Sequence, residues 1–424
     1  MDVRAVDRAA EGEPEWRVAE RRGALTQFEA LDKPDPRVEE WRYVELDFDL
    51  GDYRLVDTPG EPGDGSLGTF SPSHRIVVVD GIVTSQEPGP PEADAPLWVG
   101  GLAEAVTQRP DPLRRLDGNG VPSGIDQFAA AHAAFGGGGA LIHAGRNTVT
   151  GPILVEVHAA TSGVVSFPRI VVVADDTAQV AVVVHLTSRS DVDALMVPQI
   201  EVLGGSGANV AVTVVQNLGP EMRSIGHARA VLGRDANLVL AEAGLGGRFS
   251  RLRLAIDLEG RGSSADVVGA YFGDRSQVLD YRYVMHHAGL NTRSNMFLPG
   301  AVEDDALSVF TGMIRIDEGA QRTDAFQTNR NLILSEGAAA QSVPNLEILA
   351  NDVKCGHGST VGPLDQEQRY YLMSRGLDPQ RADRLQVRGF FEEALGRFPT
   401  PEVTPPLREW INGKFVEAQE EGRV

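Results

Sequence analysis

Between residues 153 and 361 the chain alternates short Val/Ile/Leu runs with Gly, Asp, Asn and Ser turns, as in RIVVVADD, AQVAVVVHL, ANVAVTVVQNL, ANLVLAEAG and RLRLAIDLEG. Short runs rich in β-branched residues and punctuated by turn formers predict β-strands, and no amphipathic helical pattern intervenes. A faint repeat underlies them. An alanine that follows a small or polar turn and precedes a strand recurs at Ala178, Ala208, Ala236 and Ala265, at spacings of 30, 28 and 29 residues. The same step lands near Ser294 and Thr323. A period near 29 without helices predicts the coils of a β-helix, in which each coil buries its inward residues only when the next stacks on it. A β-sandwich is the rival, because turns spaced about 8–12 residues apart would share part of this texture.

The flanks read differently. Residues 15–50 set Trp16, Phe28, Leu31, Trp41 and Tyr43 into a charged sequence of helical character, broken by Pro34 and Pro36. Pro/Gly loops at 57–72 and 86–96 bracket a strand at 75–79. A helix over 125–135 then runs into the glycines 136–139, a loose helix exit. Past Leu364 helical signals return. Asp365 with Gln368 has capping-box spacing, and Gly376 marks a stop. Asp378-Pro379 restarts a helix carrying Leu385, Val387, Phe390, Phe391 and Leu395, and a proline-rich linker leads to a last helix over 407–419. The expected organisation is an N-terminal helical and mixed region over 1–150, a β-helix core over 151–363 and a C-terminal helical region over 364–424. That last region is either a docking module or a cap over the open edge of the β-helix.

Length and charge narrow the partners. A chain of 424 residues exceeds the usual single core, so two or three structural units are expected. With 39 basic and 60 acidic residues the net charge is −21, a surface that repels nucleic acid and anionic lipid. Lys33, Lys354 and Lys414 are the only lysines, so arginine dominates the basic residues, but no arginine cluster interleaves with aromatics. No apolar run is long enough to span a bilayer, and the first 20 residues lack the apolar core of a signal peptide. A cytoplasmic location without membrane or nucleic-acid partners is the expectation. The single cysteine, Cys355, excludes an intrachain disulfide framework.

Candidate chemistry is sparse. There is no GxxxxGK[ST] loop, no HExxH, no GxSxG and no CxxC pair. His286 and His287 are adjacent, so on a strand one faces the core and the other solvent. The acidic pairs Asp175-Asp176 and Asp304-Asp305 fall in predicted turns and read as turn formers. The segment NDVKCGHGST, residues 351–360, is the exception. If it is extended, Cys355 and His357 project to one face, and a thiolate beside an imidazole suits Fe, Zn or Cu. Gly356 and Gly358 leave room for something to approach closely. Two ligands do not hold an iron–sulfur cluster, so any cluster here must borrow ligands from another protein. The alternative is a buried free cysteine beside a histidine satisfied by hydrogen bonds.

Residues 327–376, QTNRNLILSEGAAAQSVPNLEILANDVKCGHGSTVGPLDQEQRYYLMSRG, closely resemble the C-terminal signature of the SufB/SufD family, and of its SufD branch in particular. The TNRNL opening, the P-x-LEI-x-A-x-DVKC-x-HG-x-TVG centre and the LD…YL-x-SRG close carry the resemblance, with EEWRY at 39–43 as a shorter N-terminal match. Gly356 and Ser359 stand where Ser and Ala are more usual in that branch, and neither replaces a ligand. The resemblance implies a mainly β protein, a right-handed parallel β-helix between N- and C-terminal helical regions. It implies a non-catalytic scaffold subunit of the SUF iron–sulfur cluster assembly complex. Such a subunit pairs with SufB and binds the SufC ATPase through its C-terminal helices. The histidine of the KC-x-HG element, here His357 with Cys355 beside it, would face a SufB cysteine where a transient, shared cluster forms. No cluster is then held permanently by this chain alone. A β-helix carbohydrate-active enzyme, or a stand-alone homodimer, are the other readings.

Overall fold

The repeat has a backbone device at its root. Asn147, Thr177, Gly207, Asp235, Gly262, Asn291 and Arg322 all adopt left-handed φ values, from 54° to 77°. Each lies two positions ahead of a strand. Asn, Asp and Gly take this conformation most readily. Thr177 and Arg322 are held in it by the same bond as the others, an N–H donated to a carbonyl of the next coil, Ser206 and Asp352 respectively. The corner therefore carries its own ladder, and hydrogen bonding continues where the strands stop.

The computed structural model describes residues 1–63, 67, 68, 70–89, 92 and 95–420, so the expected loops at 57–72 and 86–96 lie partly outside the described residues. It is a β-solenoid of about eight coils with helices at both ends of the chain. Each coil contributes one strand to each of two sheets. The first sheet runs from Leu97–Gly101 through Gly139–Ala144 and Arg169–Ala174 to Leu307–Ile316 and Ala339–Ile348. The second runs from Ile82–Glu87 through His74–Val79 and Val149–Ala159 to Asp324–Ile333 and Lys354–Gly362. Strands from Gly139 onward pair with one another only in parallel, which excludes the antiparallel sandwich. Register in the second sheet steps from Gln179 to Asn209, Asn237, Ser264, Arg293, Asp324 and Lys354.

That register corrects the repeat. Ala178, Ala208 and Ala236 do occupy equivalent corners, but Ala265 pairs with Leu238, two positions on. The fourth and fifth corners are Ser263 and Thr292, not Ala265 and Ser294, and Thr323 follows as the sixth. The corner site stays buried throughout. Alanine gives way to hydroxyls because Ser263 and Thr323 donate to the corner carbonyls of Gly260 and Ala320, at 2.7 and 2.8 Å.

Inward side chains of both sheets form one continuous apolar column from Ile153 to Ile316. Helices cover the flanks. On the first sheet, Glu15–Ala30 and Gln127–Phe135 pack Leu25, Phe128 and Phe135 against Phe167, Ile225 and Phe249. Asp126 is the N-cap of the second of these, accepting from the Ala129 amide at 2.8 Å. On the second sheet, Pro379–Leu395 and Thr404–Glu420 press Val387, Phe391, Leu395, Leu407 and Phe415 onto Ala243, Phe272 and Phe297. The C-terminal helices thus lie along a flank, and the expectation of a cap over the solenoid's end is overturned. The tail's helix signals are otherwise found: Asp365 and Asp378 both cap helices, and Gly376 takes φ 94° between them.

Candidate functional site at the open end of the solenoid

The two ends of the stack are unlike. At the N-terminal end, antiparallel strands Leu97–Gly101 and Ile82–Glu87 terminate the sheets. At the other end, among the described residues, nothing lies over Ala339–Ile348 and Lys354–Gly362. Neither strand has a fully buried residue.

Parity decides what that end presents. Register places His357 on Gln327, which stands on Met296, Val267, Leu240, Val212 and Val182 in turn. Every residue below His357 in this column is buried. The adjacent column ends on Cys355, above Ala325 and Ser294. Both candidate residues therefore point along the lumen face, as the i, i+2 spacing predicts, but at a rung that no further coil covers. His357 is exposed and makes no hydrogen bond among the described residues. The reading of a buried, hydrogen-bonded histidine does not hold. Cys355 is half-buried, packs on the lumen cluster and is a free thiol whose pKa burial pushes up. Ser359, the next lumen-facing residue, reaches across to Ser342 of the opposite sheet at 2.8 Å.

The room beside Gly356 is taken on the outer face. A Cβ there would meet the Phe326 ring at 2.8 Å, so the glycine seats this half-exposed aromatic of the preceding coil. No group of three or more His, Cys, Asp or Glu side chains that could hold a metal exists among the described residues. Cys355 and His357 are thus two donors without a third.

Sequence reading missed the polar floor below them. Gln327, Asn329 and Asn331 alternate along one strand and all point inward, buried. Tyr271 donates to Asn331 Oδ1 at 2.6 Å and accepts from Asn329 Nδ2 at 2.9 Å. Deeper in the lumen the Tyr283 hydroxyl donates to Glu242, whose carboxyl burial pushes up to about 7. The signal was present in QTNRN: three amides at strand period, in phase with a buried alanine.

The remaining candidates sit elsewhere. His287 is buried between Thr292 and Ser294, whereas His286 lies at the surface bridging Asp257 and Asp317, at 3.0 and 2.9 Å. One faces in and one out, as expected. Asp176 accepts the Ser206 amide and Asp304 the Arg275 amide across successive corners, in keeping with turn roles. Asp175 instead ties Arg115 to His143. The short N-terminal motif is docked by charge. Arg251 bonds the Glu40 carboxylate and carbonyl and stacks over Trp41 at 4.0 Å, while Arg282 holds the carbonyls of Glu39 and Arg42. Buried Asp280 neutralises both arginines.

Comparison with known proteins agrees with this architecture. Residues 157–390 match the family described as SUF system FeS cluster assembly, SufBD core domain. An iron–sulfur cluster assembly SufBD family protein of Mycobacterium leprae is 32% identical over 303 residues, 69% of this chain and 76% of that protein. SufD of Bacillus subtilis is 30% identical over 300 residues, 70% of this chain and 68% of its own length. SufD of Escherichia coli is 33% identical over 174 residues, 41% of each chain. With its two-sheet solenoid, flanking helices and matched core, this chain belongs to the SufBD family of the SUF iron–sulfur cluster assembly system.

Proposed function

We propose that this chain is a SufD-type scaffold subunit, non-catalytic and cytoplasmic, whose open terminal coil pairs with a SufB-type partner and lends His357 to a nascent cluster. The observation that carries this reading is the uncovered last coil. A sheet edge with no further rung invites β-pairing, and this one also exposes Phe326, Ile348, Leu349 and Val361. A thiol and an imidazole without a third donor fit a site completed by another protein, with the cluster as cargo shared between the two chains. Cys355, half-buried at its side, would be the second candidate ligand.

The C-terminal helical region, 364–424, would bind the SufC-type ATPase. Gln366–Ser374 supports this, because the helix has no buried residue and leaves Tyr370 and Tyr371 exposed. A groove of about 510 Å³ between it and the next helix is lined by Leu332, Leu364, Tyr371, Leu372, Leu385 and Phe390. Removing the region would uncover Phe272 and Phe297, so point changes are the cleaner probe. The double variant Tyr371→Ser, Leu385→Ser should fold and bind the SufB-type partner but fail to retain the ATPase in co-purification. Undiminished ATPase retention would refute the docking role. The scaffold assignment is tested by the His357→Ala strain, in which maturation of an iron–sulfur reporter enzyme should fall while the complex still assembles.

A further inference from the structure

The geometry points to a second binding site, far from the terminal coil in sequence: a pocket for a small organic anion beneath the helix Glu15–Ala30. This helix roofs a cavity of about 440 Å³. The outer face of the first sheet forms the floor, and the glycines 136–138 contribute to the wall. The lining is of two kinds. Trp16, Val106, Leu113 and Leu116 are apolar, whereas Arg17, Arg169 and Gln199 offer donors.

Pairing among those donors is uneven. Arg21, next to them, is bonded at each of its three nitrogens, by both Glu13 oxygens at 2.6 and 2.7 Å and by the carbonyls of Ala134 and Gly136. Arg169 is held by Glu201 at 2.7 Å. Arg17 is different. Its side chain is only 13% exposed, and its one protein acceptor is Glu20 at 2.8 Å, on a side chain 44% exposed. The other N–H groups of its guanidinium have no acceptor among the described residues. Burial first, then the neighbouring charges of Arg169 and Arg21, hold Arg17 down at about 10. On the floor, Gln199 is 3% exposed and its amide nitrogen has no hydrogen-bond partner.

A largely covered guanidinium short of acceptors and a buried, orphaned amide donor lining one cavity call for the same complement, an acceptor-rich anion. Three of the four carboxylates in the lining are committed, Glu13 to Arg21, Glu20 to Arg17, and Glu201 to Arg169 and the Val121 amide, while the fourth, Asp117, is exposed to solvent. The volume exceeds that of a bare phosphate ion, and the apolar lining suits a hydrophobic body. The class of ligand is therefore a phosphate or carboxylate head on an apolar or aromatic body.

Calorimetric titration of the full chain with phenyl phosphate, inorganic phosphate and phenol tests this. Phenyl phosphate should bind saturably at one site, inorganic phosphate more weakly, and phenol weakest. Arg17→Gln should weaken phenyl phosphate binding by about tenfold or more, and Arg17→Lys, which keeps the charge but not the fork, by less. Gln199→Glu, which sets a carboxylate on the floor, should abolish it, with melting curves confirming that each variant is folded. No saturable binding of phenyl phosphate by the unaltered chain at about 10 mM would overturn the site, whatever the variants do. So would equal affinity in folded Arg17→Gln.

Discussion

The strands Asn209–Asn217 and Lys354–Gly362 belong to one sheet and share one register, yet their inward faces have opposite chemistry. Mid-stack, Val210, Val212 and Val214 are sealed between neighbouring rungs. At the end, the same columns finish on Cys355 and His357, with Ser359 beyond, none of them buried. The change is already present one coil earlier, where Gln327, Asn329 and Asn331 stand on Met296, Leu298 and Gly300 and are still buried. In a solenoid the same backbone position is core or interface according to whether another coil follows. The side chains of the last two coils suit a face that meets a partner.

Substitutions in the column that links the two regions sharpen this contrast. The largest effect is expected mid-stack. Leu240→Ala, at a fully sealed position, should cost about 2–5 kcal/mol in chemical denaturation. A loss below ~1 kcal/mol would mean that the middle coils are not the packed core they are taken to be.

Glu242 places a titratable group inside the sealed region. Burial raises its carboxyl from 4.5 to about 7. The folded state therefore binds a proton that the unfolded state has lost between those values. Stability should be full below the unfolded value and fall as pH rises through 7, by about 3 kcal/mol at most. Glu242→Gln should flatten that decline between the unfolded value and about 7, and should exceed the unaltered chain in melting temperature above 7. An unchanged pH profile would show that the carboxyl is not protonated in the folded lumen.

On the outer surface the same reasoning gives a smaller number. Asp257 and Asp317 raise the pKa of partly exposed His286. This ladder stabilises below histidine's ordinary value and is lost as pH rises through the raised one. Screening limits it to ~1 kcal/mol or less. Asp317→Asn should remove part of that dependence and nothing more, read from melting curves across the neutral range. A larger loss would make the outer ladder part of what holds the coils together.

Much of this architecture was legible in the chain because a solenoid writes its period into its corners. A left-handed residue, Asn, Asp or Gly at every corner but Thr177 and Arg322, recurs at each coil, and from Ala178 onward the small residue after it is buried. The period was nonetheless misplaced at Ala265, because the corner residue changes from methyl to hydroxyl at Ser263 and an alanine two positions on took its place in the pattern. Helix caps at Asp365 and Asp378 are local chemistry and were readable as such. Where the C-terminal helices rest was not, since an apolar helix face does not say whether it covers a flank or an end. The parity of Cys355 and His357 followed from strand geometry. Their exposure did not, because it depends on a coil that is missing rather than on any residue present.

The smallest stability effect and the largest functional one should coincide at His357. Replacing an exposed side chain without hydrogen bonds should change folding free energy by about 0.5 kcal/mol or less. Cys355→Ser, at the half-buried neighbour, serves as the control for disturbance of the shared face. The most direct test pairs thermal unfolding of His357→Ala with maturation of an iron–sulfur reporter enzyme in cells carrying the SUF partners. The account predicts an unchanged melting temperature, an intact complex and impaired reporter activity. Full reporter activity in that strain, or a melting temperature that falls before activity does, would contradict it.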